Sequence, residues 1–277
     1  MVNLMYCGNE KVFDGMLISA LSTVKHTDSP ITVYILTMDL SDIDPRYTPI
    51  SSAQAGYIRK VLKDANPASD VHLIDAAEPF RSEMLGSRNM ATSYTPYTLL
   101  RLFADALPEI PEKIIYLDTD TVSHGDISLL YDIDISNYEF GAALDHLGRF
   151  FIRHDYMNAG VLLLNMERIR STGLFARCRA LCRTKKMSFP DQDALNRLGS
   201  EKLYLDKRFN SQRRLYNDTV IQHFSKSIRF FPFFHTVNVK PWEVQKVRQV
   251  LKIHEYDDIL DDYLKRKEEI DAHGFAE

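Results

Sequence analysis

The chain has 277 residues, of which 45% are hydrophobic and 26% are charged, and its formal net charge is −4. This length and apolar fraction suit one large domain with a substantial core, and the balanced charge argues against nucleic-acid binding, which needs a basic surface. Three unevenly spaced cysteines do not form a disulfide framework, and no window approaches the roughly 18 to 20 apolar residues that span a bilayer. These features predict a soluble, cytoplasmic protein.

Apolar runs alternate with helical patterns along the N-terminal half of the chain. Apolar residues recur at helical spacing in 13–24, whereas 31–36 is rich in the β-branched and aromatic residues typical of strands. Thr95 is a candidate helix cap, and Pro96 suits the first turn of the helix that follows. The predicted elements are strands at 3–7, 31–36 and 71–74 and helices at 13–24, 51–64 and 95–107.

The C-terminal half contains apolar runs that end in polar side chains. Strands are predicted at 114–117, 140–145, 160–165 and 219–223, with a helix at 166–183. Because several of these strands are apolar on consecutive residues, they require burial on both faces. The sequence therefore predicts an α/β fold, with a Rossmann-like, mainly parallel central sheet and helices on both of its faces. In such sheets, ligands bind beyond the carboxyl ends of the strands.

The chain changes in composition after Trp242. Beyond this residue it is largely charged, with apolar residues at helical spacing. We therefore expect a main domain at 1–242 and a C-terminal helical tail at 243–277 that packs back on it.

An Asp-x-Asp pair occurs four times, so the pattern alone does not identify a site. The pairs are Asp42/Asp44, Asp118/Asp120, Asp132/Asp134 and Asp191/Asp193. The first lies in a proline-bounded loop and the third in a polar connection. Asp118 and Asp120 directly follow the apolar run 114–117, where two carboxylates would repel each other unless a cation lay between them. A divalent metal that also grips phosphate fits this position; helix capping with a surface salt bridge is the alternative interpretation.

Five motifs, in order along the chain, resemble those of glycosyltransferase family 8. They are IIYLDTD at 114–120, YMNAGVLLLN at 156–165, FPDQDALN at 189–196, RFN at 208–210 and KPW at 240–242. The similarity extends from about residue 3 to residue 242. It implies the GT-A fold and a retaining transferase that uses a UDP-sugar and usually Mn²⁺, with Mg²⁺ as a second candidate.

The resemblance implies a metal site made of two aspartates and one histidine. Asp118 and Asp120 match the aspartates, and His223, which ends the last predicted strand, matches the histidine. Because this chain has an insertion before its Lys-Pro-Trp motif, His235 is a rival ligand. Lys240 would bind the pyrophosphate of the donor; otherwise it is a surface charge.

The resemblance also implies a donor site that begins at the end of the first strand. Asn9 would contact the uracil edge, and Val12 replaces a tyrosine that stacks on the base in many members. Arg101 matches an arginine associated with the donor, or else pairs with Asp105 one helical turn away. The implied donor-binding residues are Tyr6, Cys7, Gly8, Asn9, Val12, Arg101, Thr119, Asn158, Ala159, Gly160 and Lys240.

Three polar residues are implied at the reacting sugar. Asp145 ends a predicted strand and would bind sugar hydroxyls, while Asp191 and Gln192 match positions that face the reactive side of the sugar. The alternative for Asp191 is to cap the helix that Pro190 begins. Retention requires either a double displacement, with Asp191 as the better nucleophile, or attack from the same face, which we favour.

The sequence thus predicts a transferase that moves glucose or galactose onto a hydroxyl of a saccharide or glycolipid. The aromatic insertion at 230–234 is a candidate acceptor wall, membrane-surface contact or core segment, and the family's acceptors suggest a transient stay at the inner membrane face. A haloacid-dehalogenase-type phosphatase with Asp118 as nucleophile is the first rival, although its motif usually lies near the start of a domain. A non-catalytic sugar-binding protein is the second.

Overall fold

The computed structural model describes residues 1–90, 95–229 and 235–275. Its strands are β1 (Val2–Cys7), β2 (Ile31–Thr37), β3 (Asp70–Asp75), β4 (Lys113–Leu117), β5 (Thr121–Ser123), β6 (Phe140–Leu144), β7 (Met157–Asn165), β8 (Lys202–Tyr204), β9 (Ile221–His223), β10 (Ser227–Arg229) and β11 (His235–Val237). Its α-helices are α1 (Phe13–His26), α2 (Ser52–Ala65), α3 (Ala77–Met84), α4 (Ser128–Tyr131), α5 (Gly148–Phe151), α6 (Met166–Thr172), α7 (Leu174–Thr184), α8 (Pro190–Leu198), α9 (Val244–Lys246) and α10 (Asp257–His273). Three 3₁₀ helices, Glu10–Val12, Pro96–Ala106 and Lys207–Phe209, and a π-helical turn, Val247–Leu251, complete the described elements.

The central sheet of the described chain has seven strands in the order β3-β2-β1-β4-β7-β6-β8. Four neighbouring pairs are parallel, and β7 runs antiparallel to both β4 and β6. The predicted α/β fold with a mainly parallel sheet is therefore confirmed. Because β7 is antiparallel to β4, the first half of β7 lies beside the end of β4, which brings Gly160 next to Asp118.

Core side chains cover both faces of this sheet. Successive residues of β4 point to opposite faces, so that Ile115 packs in a cluster with α1, α2 and α10 and Ile114 packs in a cluster with α3, α7 and α8. Cys178 and Cys182 lie in the second cluster as buried packing residues. Helices on both faces provide the burial that continuously apolar strands require.

Two predicted helices differ from the structure. The helix predicted to begin at Thr95 is a 3₁₀ helix, Pro96–Ala106, and the Thr95 side chain makes no capping hydrogen bond. The single helix predicted at 166–183 is divided into α6 and α7 by Gly173, whose φ is 65°. Residues with a side chain disfavour this left-handed conformation, so the glycine ends α6 and lets the chain turn before α7.

Two small antiparallel sheets hold the two candidate histidines. β5 pairs with β9 and sets Thr121 opposite His223, so that β9 lies beside the turn that follows β4. β10 pairs with β11 and sets Arg229 opposite His235. The strand pairing therefore places only His223 next to the Asp118–Asp120 turn.

The C-terminal helix α10 packs on α1. Leu260 and Tyr263 are buried, and Lys267 Nζ lies 2.6 Å from Asp14 Oδ2 on α1. The tail thus contacts the body of the protein, while its division from the main domain at residue 242 stays a prediction. None of the helices in the described ranges is long and apolar enough to cross a membrane.

Candidate active site

Asp118 and Asp120 lie in the turn between β4 and β5. The Asp118 N–H donates to Gly160 O at 2.7 Å, which fixes the turn against β7. His223 Nε2 lies 3.2 Å from Asp120 Oδ1 and 3.7 Å from Asp118 Oδ2. One ligand atom from each of Asp118, Asp120 and His223, the Asp-Asp-His cluster, lies within 4.8 Å of the others. Two carboxylates and an imidazole at this spacing are suited to a shared divalent cation.

His235 lies apart from this cluster. It is exposed on β11, whereas His223 is only 5% exposed and is held between the two aspartates. Of the competing Asp-x-Asp pairs, Asp42 forms a salt bridge with Arg81 at 2.5 Å on the surface. Geometry therefore favours His223 as the third ligand.

Opposite charges determine the electrostatics of the cluster. Burial raises the pKa of Asp120, but His223 and Lys240 lower it more strongly, so that it lies well below its ordinary value. Burial lowers the pKa of His223, but Asp120 outweighs this effect, and the net pKa lies above the ordinary value of 6.5. Lys240 Nζ lies 2.5 Å from Asp120 Oδ2 and donates to Phe224 O at 3.1 Å. Asp120 is therefore an anion at neutral pH.

Arg101 is a buried cation that holds Asp118. Its Nη2 lies 2.8 Å from Asp118 Oδ1, and its Nη1 donates to Ala159 O at 2.5 Å. The guanidinium is stacked 4.0 Å from the centre of the Tyr116 ring, and the Tyr116 hydroxyl donates to Asp118 Oδ1 at 2.6 Å. Asp105 pairs with an arginine of α7 instead, so the alternative pairing with Arg101 is wrong.

Asp191 lies behind the Asp-Asp-His cluster, in the first turn of α8. The N-cap position is Phe189, so the interpretation of Asp191 as the cap is wrong. Asp191 is 5% exposed, and its carboxylate lies 3.1 Å from Arg101 Nε. Burial raises the pKa of Asp191, and Arg101 only partly offsets this effect. Asp191 thus faces an internal cation rather than an open cleft.

A second polar group surrounds Asp145. Asn158 Nδ2 and Gln192 Nε2 donate to Asp145 Oδ2 at 2.8 and 3.3 Å. The Gly148 N–H donates to Asp145 Oδ1 at 2.6 Å, and the Ala159 N–H donates to Gln192 Oε1 at 2.9 Å. The structure therefore brings together Asp145, Asn158 and Gln192, which the family resemblance implies at the donor sugar.

Asn210 joins these two groups, a role that no sequence pattern had assigned to it. Its Nδ2 donates to Asn158 Oδ1 at 2.9 Å, and its Oδ1 lies 3.2 Å from His223 Nδ1. Because the Asp145 carboxylate only accepts hydrogen bonds, Asn158 turns its NH₂ to Asp145 and its oxygen to Asn210. The Asn210 oxygen then requires a proton on His223 Nδ1, which leaves Nε2 for the cluster. The RFN motif at 208–210 was the signal available in the sequence.

The residues at the end of β1 are more deeply buried than residues that contact a donor are expected to be. Tyr6 is fully buried, its hydroxyl lies 2.9 Å from Ser19 Oγ, and burial raises its pKa to about 12. The Tyr6 side chain is thus a core residue, which corrects its assignment to the donor site. Cys7 is also buried, and Asn9 donates its Nδ2 to Arg46 O at 3.2 Å.

Three more of the predicted donor residues, Gly8, Val12 and Thr119, lie just after the ends of β1 and β4. Val12 packs over Gly8, since a Cβ at Gly8 would lie 2.2 Å from Val12 Cγ2. Thr119 is half-buried between the two aspartates. The aromatic insertion at 230–234, predicted as an acceptor wall, membrane contact or core segment, lies outside the described residues.

The sequence matches one family model along most of its length. The model of glycosyl transferase family 8 covers residues 3–246. Lipopolysaccharide glucosyltransferase WaaO of Escherichia coli is 26% identical over 51% of this chain and 47% of its own length. Lipopolysaccharide 1,3-galactosyltransferase of Salmonella typhimurium is 25% identical over 62% of this chain and 55% of its own length. The chain thus spans about half the length of these curated relatives.

The fold is also found in a solved glycosyltransferase structure. Galactosyltransferase LgtC, in complex with donor and acceptor sugar analogs, matches with a TM-score of 0.64 and 18% identity over 94% of this chain and 96% of that chain. At this identity the likeness establishes the GT-A fold alone.

Proposed function

We propose that this chain, which belongs to glycosyl transferase family 8, is a metal-dependent retaining hexosyltransferase. Its donor would be a UDP-sugar carrying glucose or galactose, and its acceptor a hydroxyl of a saccharide or glycolipid. The observation that carries the proposal is the approach of Asp118, Asp120 and His223 to within 4.8 Å at the carboxyl end of β4, where ligands of α/β sheets bind. The two lipopolysaccharide hexosyltransferase relatives support the choice of sugar.

The cluster is proposed to hold Mn²⁺, with Mg²⁺ as the alternative. Carboxylate oxygens and an imidazole nitrogen are ligands that suit Mn²⁺, and the lowered pKa of Asp120 keeps that ligand anionic. The hydrogen bond from His223 Nδ1 to Asn210 leaves Nε2 as the ligand atom. When bound there, the cation would offset negative charge on the departing UDP.

Lys240 is proposed to bind the pyrophosphate of the donor. Its Nζ contacts Asp120 Oδ2 at 2.5 Å, and its side chain is 24% exposed, so the ammonium lies at the rim of the cluster with access to the cleft. A cation fixed at this position stabilises the leaving diphosphate more strongly as its negative charge grows.

The donor sugar is proposed to lie against Asp145, Asn158 and Gln192, which offer carboxylate and amide groups to its hydroxyls. Same-face attack is supported by the position of Asp191, which is buried and ion-paired with Arg101. A carboxylate held in this way is poorly placed as a nucleophile, and the Gln192 amide is a weak one. Asp191 would instead hold Arg101, and through it Asp118.

We further propose a cytoplasmic location with transient contact at the inner membrane face. The three cysteines are buried and unpaired, as is usual in a reducing compartment. A membrane-face location would give the enzyme access to glycolipid acceptors of the kind that the names of the two lipopolysaccharide relatives indicate.

The test is release of UDP from a panel of UDP-sugars in the presence of Mn²⁺ and a saccharide acceptor. Asp118→Asn and Asp120→Asn should each lower turnover by about 100-fold or more, because each removes an anionic ligand of the cation that is proposed to offset charge on the leaving UDP. Asp132→Asn/Asp134→Asn is the matched control, since this pair is exposed and flanks Ile133, which contacts Lys113 at the start of β4, the end opposite the Asp-Asp-His cluster. Its turnover should be unchanged.

Two results would count against the proposal. If turnover persists after both Asp118 and Asp120 are neutralised, the reaction does not require a metal bound by these residues. Release of orthophosphate from simple phosphate esters, dependent on Asp118, would favour the phosphatase hypothesis instead.

A further inference from the structure

A cavity of about 360 Å³ lies beside Asp145, adjoining the Asp-Asp-His cluster through Asn210. Leu144 and His146, which flank Asp145 in sequence, line one wall of it. Gln212 fixes that wall, because its Nε2 donates to Leu144 O at 3.0 Å and its Oε1 accepts the His146 N–H at 2.8 Å. The cavity is therefore next to the residues proposed to hold the donor sugar.

The charged residues that line this cavity are cations. Arg149, Lys207, Arg213 and Arg214 contribute to its walls, and no aspartate or glutamate does. Within the described part of the chain, none of these four side chains forms a salt bridge with an aspartate or glutamate. Because the whole chain carries a net charge of −4, this local excess of positive charge does not follow from composition.

Tyr216 holds two of these cations without neutralising them. Lys207 Nζ lies 4.1 Å from the centre of the Tyr216 ring, and Arg214 Cζ lies 5.1 Å from it. Both distances allow a cation–π contact. The ring therefore positions two positive charges at the cavity wall where a carboxylate would have cancelled one of them.

Two titratable groups that line the cavity, Tyr216 and His146, have pKa values lowered in part by these cations. A hydrogen bond from Arg214, together with the nearby positive charges, lowers the pKa of Tyr216. Burial, and then the charges of Arg213 and Arg149, lower the pKa of His146. The Asp145 carboxylate raises the pKa of His146 without outweighing these effects, so both net shifts have the sign expected beside a cluster of cations.

We propose that this cavity binds an anionic group, a phosphate or carboxylate, on the acceptor that receives the hexose. The proposal rests on the transferase function above and names the chemical class of its acceptor. Arginine and lysine side chains bind such groups through charge-assisted hydrogen bonds, and binding would relieve the mutual repulsion of the four cations. An acceptor anchored there would present its hydroxyls towards Asp145.

Binding of glucose 6-phosphate to the metal-free protein, measured by isothermal titration calorimetry, tests the site directly. Arg213→Gln/Arg214→Gln should weaken binding by about tenfold or more, because two charge-assisted contacts are lost. Lys185→Gln/Lys186→Gln is the matched control, because it removes the same charge from an adjacent, exposed pair that does not line the cavity. The control should bind like the wild type, and uncharged glucose should bind at least about tenfold more weakly.

A second arm distinguishes the source of the anion. Phosphatidylcholine vesicles with and without phosphatidylglycerol are sedimented with the wild type and with Arg213→Gln/Arg214→Gln. Binding that requires both phosphatidylglycerol and the two arginines supports a lipid headgroup; glucose 6-phosphate binding without vesicle binding supports a phosphosaccharide. Equal behaviour of the wild type and Arg213→Gln/Arg214→Gln towards both probes would overturn the proposal.

Hydrolysis of the UDP-sugar by water separates this proposal from the transferase function, because it needs no saccharide acceptor. Arg213→Gln/Arg214→Gln should retain hydrolysis while losing about tenfold or more in transfer to a phosphorylated acceptor. If the wild type releases no UDP but binds glucose 6-phosphate through these arginines, the result would contradict the transferase function and support the anion site. If UDP release is normal and the substitutions leave glucose 6-phosphate binding unchanged, only the proposal of an anion site would be contradicted.

Discussion

Gly160 lies where β7 passes the Asp-Asp-His cluster. A Cβ at this position would lie 2.2 Å from His223 Cε1 and 2.9 Å from Asp118 Oδ2, both well inside ordinary van der Waals contact. Its carbonyl meanwhile accepts the Asp118 N–H at 2.7 Å. A glycine is required here because the backbone itself forms one wall of the site.

Gly160→Ala should separate His223 from Asp118. The added methyl group must displace one of them, and misplacement of about 1 Å in a catalytic group can cost about 100-fold in rate. UDP release and Mn²⁺ affinity should both fall, as measured by a coupled assay and by titration of the free Mn²⁺ signal in electron paramagnetic resonance.

Gly56→Ala provides the control for the glycine substitution itself. Gly56 lies inside α2, and a Cβ at this position would have no heavy atom within 4 Å. Alanine there should stabilise the protein by about 0.5 to 1 kcal/mol and leave turnover unchanged. Equal turnover of Gly160→Ala and Gly56→Ala would contradict the geometry described for β7.

At the scale of single elements, α10 shows how the tail is attached. Its buried residues Ile259, Leu260 and Tyr263 face the body of the protein, and the Lys267–Asp14 salt bridge joins it to α1. The charged residues on the rest of the helix remain at the surface, as its composition predicts. The attachment thus depends mainly on apolar burial, because a surface salt bridge contributes at most about 1 kcal/mol.

Leu260→Ala should therefore destabilise the protein without changing the chemistry. Leu260 is 1% exposed, and truncation of a buried leucine to alanine typically costs about 2 to 5 kcal/mol. The free energy of unfolding in urea should fall by this amount, while turnover of the folded fraction stays at the wild-type value. Leu129→Ala is the control: Leu129 is 49% exposed, so the change should stay within about 0.5 kcal/mol.

At the scale of the whole molecule, the cluster joins distant parts of the chain. β4 supplies the aspartate turn, β9 supplies His223, and β7 supplies the backbone between them. A cation bound by Asp118, Asp120 and His223 would therefore stabilise the native arrangement as a whole, because the unfolded chain cannot present these ligands together.

Mn²⁺ should raise Tm, and the increase should grow as the pH rises. In the metal-free protein the pKa of His223 lies above 6.5, so its imidazolium stabilises the fold fully below that pH, and this contribution is lost as the pH rises through the raised pKa. The cation must displace the same proton, so it binds more weakly at low pH. At a free concentration of about 100 times Kd, the gain should approach about 2.7 kcal/mol, measurable by differential scanning calorimetry.

Asp118→Asn/Asp120→Asn should show no such increase at any pH, since two of the three ligands are altered. An Mn²⁺-induced rise in Tm that was constant with pH, or that fell as the pH increased, would exclude His223 as a ligand.

The sequence by itself determined six of the seven strands of the central sheet, all but β8, together with the aspartate pair and the order of the family motifs. These features are local: a continuous apolar run predicts a buried strand such as β4, and the polar residues that follow it mark the site. The resemblance to glycosyltransferase family 8 implied roles for Asp145, Asn158 and Gln192, which do lie together. The break at Gly173 and the 3₁₀ form of Pro96–Ala106 were missed, because backbone geometry there depends on packing as well as on periodicity.

Only the tertiary structure decided which side chains meet. The choice of His223 over His235 follows from the pairing of β5 with β9, two segments that are distant in sequence. The joining role of Asn210 follows from the bridge between its neighbour Ser211 and Gln222 of β9. Burial of Tyr6 and the grouping of four cations around one cavity also depend on contacts between distant segments. Sequence spacing does not encode such contacts, because strand order and register are set by the packing of the whole sheet.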